Sequence, residues 1–178
     1  MLFHQPGDYN IYMAKITGKR RHNIRKSQIE VLFNALEKEI GESAALFRSP
    51  QGLELLETST GLKVYLVDKK PQLIERDTWI FPTLKGLLEH PLPQRKVVVD
   101  MGAVPYVVNG ADVMRPGIVS VSEDIIAGHP VQIVEERHNK PLALGIALFD
   151  AGEIVKKTQG KVIKTIHYVG DDLWNMEF

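Results

Sequence analysis

The chain has 178 residues, 22 of them basic and 22 acidic, and no cysteine. That length admits one domain or two small ones, the lack of cysteine excludes disulfides and thiolate metal sites, and no apolar run reaches the length of a membrane span. With 44% apolar and 25% charged residues it has an ordinary globular make-up, and a start without the basic and apolar regions of a signal peptide leads us to expect a cytoplasmic protein.

Residues 10–14 read as a short strand of aromatic and branched residues. A basic loop follows over 19–26. Ser27 and Glu30 form a capping box, and Ile29, Leu32, Phe33, Leu36 and Ile40 repeat at helical spacing until Gly41 stops the helix. Residues 53–58 and 62–67 flank Ser59-Thr60-Gly61 as a hairpin. Further strands are expected at 72–75 and 79–81, and a short helix at Leu84, Leu87 and Leu88. Two prolines at 91 and 93 cannot continue regular structure, which puts a boundary near 93 and gives domains 1–93 and 94–178. Each is close to the smallest size with a self-sufficient core, so the two are expected to pack together.

The second half is richer in strands. They are expected at 96–99, 118–121, 131–135, 142–147 and 161–168, with a short helix over 101–108, whose Pro105 is tolerated in the first turn, and a helical turn at 151–156. Many short strands separated by turns predict a small closed or half-closed β-barrel, and the whole chain reads as α+β.

The zero net charge hides segregation. Residues 9–29 hold Lys15, Lys19, Arg20, Arg21, Arg25 and Lys26 and no acid, and residues 154–170 hold Lys156, Lys157, Lys161 and Lys164 and no acid. Such blocks give a dipolar surface, and both are expected on one continuous face. Arg25 and Lys26 precede a helix start that favours anions, although Ser27 and Glu30 would already occupy its amides. The adjacent acids Glu135-Glu136 and Asp171-Asp172 read as solubility charges.

No catalytic constellation is present. The chain lacks a nucleotide-hydrolase phosphate loop, a Gly-x-Gly-x-x-Gly and a Gly-x-Ser-x-Gly. Its six histidines are scattered without metal-ligand spacing. We expect no enzyme activity, no cofactor and no metal. Trp79 and Trp174 read as core or interface anchors before base-stacking platforms, and Tyr106 and Met114 read as core, with Met114 near enough to the bend to touch a ligand.

What remains is a bend. Asn109-Gly110-Ala111-Asp112, followed by Arg115-Pro116-Gly117, offers small residues and bare backbone where a flat, charged ligand can come close. Arg115 is the candidate phosphate or base-edge partner. The string Gly102-Ala103, five residues, then 109–118, together with the runs 131–134, 141–147 and 160–164, resembles the PUA domain, an RNA-binding module, over residues 95–172. The preceding region is similar to the pre-PUA domain of archaeal stand-alone proteins, which resemble translation re-initiation factors of the malignant-T-cell-amplified and ligatin type.

The resemblance implies an N-terminal mixed α/β pre-PUA domain packed on a C-terminal PUA β-pseudobarrel. It implies an RNA surface of Asn109, Gly110, Ala111, Asp112, Met114, Arg115, Pro116 and Gly117, joined by Lys161 and Lys164. The backbone of Gly110 and Ala111 would approach ribose or base edges. Arg115, Lys161 and Lys164 would neutralise phosphates, and Asp112 would cap the loop or accept from a base amino group. Lys19, Arg20, Arg21 and Arg25 would form a second contact surface. The implied function is that of an RNA-binding accessory protein acting on tRNA or rRNA in translation or RNA maturation, with the ribosome or a translation factor as possible partner. The alternatives are the targeting subunit or remnant of an RNA-modifying enzyme, and a protein-interaction adaptor on the ribosome.

Overall fold

The computed structural model describes residues 15–178. The strand expected at 10–14 lies outside the described residues. Two compact units are built on Lys15–Leu92 and on Pro93–Trp174.

The first unit is an antiparallel sheet in which the strands follow chain order: β1 (Gly18–Asn23), β2 (Leu53–Thr58), β3 (Lys63–Val67), β4 (Lys70–Arg76) and β5 (Trp79–Pro82). Helix α1 (Lys26–Ile40) connects β1 to β2 and lies against β5. Its buried stripe of Leu32, Phe33, Leu36 and Ile40 is the face expected from the 3.6-residue repeat. Between β3 and β4, Asp68 and Lys69 both take positive φ, as a two-residue turn matched to the strand twist requires. A second helix, α2 (Leu84–Glu89), is capped by Thr83, whose Oγ1 accepts from Gly86 N at 2.9 Å.

Two expectations for this unit are corrected. The basic segment is a strand in its first half, not a loop. β1 pairs with β2, and the Arg21 guanidinium donates to both oxygens of Glu54 at 2.6 and 3.1 Å. An edge strand exposed on nearly its whole length has no apolar alternation for a sequence reading to detect. The helix also starts earlier than the Ser27 cap suggests. Gln28 accepts from Arg25 N at 3.1 Å, while Glu30 pairs with Arg48 at 3.0 Å and caps nothing.

The second unit is a six-stranded sheet in the order β7 (Val113–Met114), β11 (Lys161–Tyr168), β10 (Pro141–Ala147), β9 (Pro130–Glu135), β6 (Lys96–Val99) and β8 (Ile118–Val121). β6 and β9 are parallel and the other pairs antiparallel. The two edge strands, β7 and β8, are joined by only the short 3-10 turn Arg115–Gly117. Edges that close in the chain can exist only if the sheet curls back on itself, so this sheet is a pseudobarrel. β9 and β10 are buried along their full length, and Val131, Ile133, Ala143 and Ala147 fill the barrel with Val97, Val99, Val113 and Ile163. The expected helix over 101–108 is a single turn, α3 (Val104–Val107), with proline at its start. Helix α4 (Ala151–Lys156) precedes β11.

The two acid pairs are also corrected. Glu135 is buried and accepts from the backbone N–H of Arg137, His138 and Lys140 at 2.7–3.1 Å, fixing the turn after β9. Asp171 accepts from Tyr168 N and Trp174 N and lies 2.8 Å from His167 Nδ1. These carboxylates organise turns, where buried polar groups must find partners.

A candidate nucleic-acid interface at the barrel seam

Asp100 sets the entry to the bend. Its N–H donates to Gly117 O at 2.9 Å and its Oδ1 accepts from Ala103 N at 2.9 Å, opening the α3 turn. The end of α3 is closed by its own chain. Gly110 N donates to Val107 O and Ala111 N to Tyr106 O, both at 3.0 Å, and Asn109 Nδ2 donates to Pro105 O at 2.8 Å. Gly110 has a φ of 85°, and a Cβ there would stand 2.5 Å from the Tyr168 ring. The fold therefore requires this glycine twice over.

The bend is then stitched to β11. Thr165 donates its Oγ1 proton to Ala111 O at 2.8 Å and its N–H to Asp112 Oδ1 at 3.0 Å. Asp112 also pairs with Lys161 at 3.0 Å and with Lys164 at 3.4 Å. Two ammonium groups share one carboxylate, so the lysines expected to meet phosphate are partly neutralised from within. Arg115 departs further from expectation. Its Nε donates to Ile154 O at 2.7 Å, and its two Nη atoms reach Ile118 O at 3.3 Å and Val155 O at 3.5 Å. The guanidinium is engaged with carbonyls at the end of α4, where it complements the negative helix pole.

The ligand-sized space lies beside these residues. A cleft of about 480 Å³ is lined by Gly102, Ala103, Tyr106 and Val107 from the α3 side of the chain, with Asp100, and by Asp112, Val113, Met114, Pro116 and Gly117. Tyr106 is 68% exposed and Met114 51%, which corrects their reading as core. A one-turn helix is too short for an apolar stripe, and Val107 is its one buried residue. Of the expected RNA-surface residues, Asp112, Met114, Pro116 and Gly117 line the cleft. Asn109, Gly110 and Ala111 shape the bend beside it, and Lys161 and Lys164 reach it through Asp112. Tyr106, Gly102 and Asp100 were not anticipated. The sequence carries no signal for the exposure of Tyr106, because the segment reads as a helix over 101–108 and only the structure shortens it to Val104–Val107.

In the first unit, Lys19, Arg20 and Arg25 are exposed, while Arg21 is tied to Glu54. Trp79 is buried in β5, in agreement with its reading as an anchor. Among the described residues no His, Asp and Glu cluster could hold a metal ion, and no helix is long and apolar enough to cross a membrane.

A family model described as PUA domain matches residues 95–169, so the pseudobarrel and its bend are a PUA fold. Over 152 residues the chain is 38% identical to an uncharacterized protein of Methanocaldococcus jannaschii, covering 85% of this chain and 89% of that one. It is 31% identical over 129 residues to translation machinery-associated protein 20 of Saccharomyces cerevisiae, covering 69% and 71% of the two chains. The crystal structure of a hypothetical protein from Pyrococcus horikoshii is similar with a TM-score of 0.79 and 35% identity, covering 87% of this chain and 98% of that one. The chain belongs to the family of PUA-domain proteins that includes translation machinery-associated protein 20.

Proposed function

We propose that this protein binds RNA through the seam cleft, as a non-catalytic factor acting on tRNA or rRNA in translation. The observation that carries the reading is the exposed pair Tyr106 and Met114 on a cleft otherwise lined by glycine, alanine, valine, proline and two aspartates. Sequence-reading RNA contacts are made mostly with unpaired bases stacked on aromatic side chains, and a side-chain-poor cleft of this size takes a flat base. Asp100 and Asp112 make the lining itself unsuited to phosphate. Neither carboxylate is bare, since Asp100 accepts from Ala103 N and Asp112 is matched by two lysines. Phosphates belong at Lys161 and Lys164 on the cleft margin, where they add affinity that salt weakens. The similarity to translation machinery-associated protein 20 supports the setting in translation, and a cytoplasmic location follows from that setting.

Lys19, Arg20 and Arg25 on the first unit provide a second basic surface for RNA backbone or a ribosomal partner. The test of the reading is a titration of the full chain with tRNA and with rRNA fragments, with and without single-stranded ends, over a range of salt. Binding that needs an unpaired segment is expected. Lack of association with every RNA in dilute buffer overturns the proposal.

A further inference from the structure

We infer that the turn closing α4 carries an RNA strand onward from the cleft, with Lys156 and Lys157 as its phosphate contacts and Arg115 as the residue that positions them. The inference rests on the RNA reading of the cleft and extends it to a bound length.

Three observations bring the turn and the cleft together. Lys161 stands opposite Met114, a cleft residue, in the β7–β11 register. The loop just before it is fixed at the rim, because Arg115 N donates to Gly160 O at 2.8 Å. The Arg115 guanidinium then spans from the rim to Ile154 O and Val155 O of α4. The helix end bearing Lys156 and Lys157 thus lies within one arginine side chain of the cleft margin.

The charges fit a polyanion here in a way they do not inside the cleft. Lys161 and Lys164 share Asp112, whereas neither Lys156 nor Lys157 has a carboxylate within ion-pair distance among the described residues. Glu153 is the one acid within α4 itself. Lys157 Nζ sits 4.0 Å above the Phe149 ring centroid. That contact fixes the ammonium on the ring's negative face without neutralising its charge. A helix C-terminus ordinarily repels phosphate. Here the guanidinium of Arg115 covers two of the carbonyls responsible. On this inference Arg115 acts through the helix end, which it converts into an anion-tolerant shelf.

The experiment uses unstructured oligoribonucleotides of three and twelve nucleotides, measured by fluorescence anisotropy against the full chain over a salt series. In K156E/K157E the twelve-nucleotide ligand is expected to bind at least about tenfold more weakly. Its log–log salt slope should fall by about 1.4, from two lost contacts at about 0.7 each for a single strand. The three-nucleotide ligand is expected to bind as before. R115M is expected to weaken the long ligand alone, and to cause no further loss in the K156E/K157E background, which a merely structural role would not produce. An unchanged affinity and slope for the long ligand overturns the inference, as does equal weakening of both lengths. The cleft reading fails separately, if Y106A leaves both lengths unaffected.

Discussion

The Tyr168 ring occupies the space that any side chain at position 110 would need, lying 2.5 Å from the site of a Cβ on Gly110. This contact joins the bend to the end of β11 and makes position 110 a packing residue as well as a turn residue. G110A is expected to lower stability by about 1–3 kcal/mol from backbone strain alone, with overlap on Tyr168 added. In denaturant unfolding, truncating Tyr168 in the G110A background should recover the overlap component and leave the backbone component. Equal stability of G110A and wild type would refute this account.

Tyr106 is exposed and closes no core, so Y106A should leave the melting temperature nearly unchanged, as surface substitutions do. Loss of one stacked base should weaken binding of a single-stranded RNA by about 1–3 kcal/mol. A titration of both proteins with the same oligonucleotide checks this, and equal affinities would remove the tyrosine from the interface.

Asp112 restrains two lysines. D112N keeps an acceptor for Thr165 N but frees Lys161 and Lys164 from their counter-charge. Affinity for RNA at low salt should rise and the salt dependence steepen, while stability falls by about 0.5–1.5 kcal/mol with the weakened hydrogen bond. Weaker binding with an altered base preference would instead mean that the carboxylate receives a base amino group.

Charge reversal at Lys19 and Arg20 probes the first unit. Both are exposed on β1, so K19E/R20E should fold normally, bind RNA less tightly and show a flatter salt dependence. Arg21 is the wrong residue to reverse, because its loss strands Glu54. An unchanged affinity and slope would remove β1 from the RNA surface.

Acid stability should depend on Glu135. Burial disfavours its ionised form, but backbone hydrogen bonds from Lys140, Arg137 and His138 outweigh that and hold its carboxyl below the ordinary 4.5. With the folded pKa depressed, the unfolded chain binds more protons on acidification. The stabilisation is complete above the ordinary value and disappears as pH falls through the lower folded value. E135Q should therefore be less stable at neutral pH, and the gap should close in more acidic buffer. A gap that is constant with pH would show that the charge is irrelevant.

The parts legible in the sequence were those with local periodicity. The α1 stripe, the β2–β3 hairpin and the runs of β9 and β10 announce themselves through spacing and turn residues. β1 is not legible because an exposed edge strand keeps no apolar face, and its partners, from Asn23 with Glu54 to Gly18 with Thr58, are distant in the chain. The bend is legible in the sequence, but the partners of its charged residues within the fold are not. Arg115 meets Ile154 and Val155, and Asp112 meets Lys161, Lys164 and Thr165. Both sets of partners come from later elements, which only closure of the barrel brings near, so local spacing could not assign them.

The turn Arg115–Gly117 joins the two edge strands of the barrel, and its Pro116 and Gly117 line the cleft proposed to take RNA. A recognition element made from a closing joint has its shape set before any ligand arrives. Little ordering entropy is then charged against association at the proposed site, and a backbone change at Pro116 or Gly117 should blunt recognition well before the barrel unfolds.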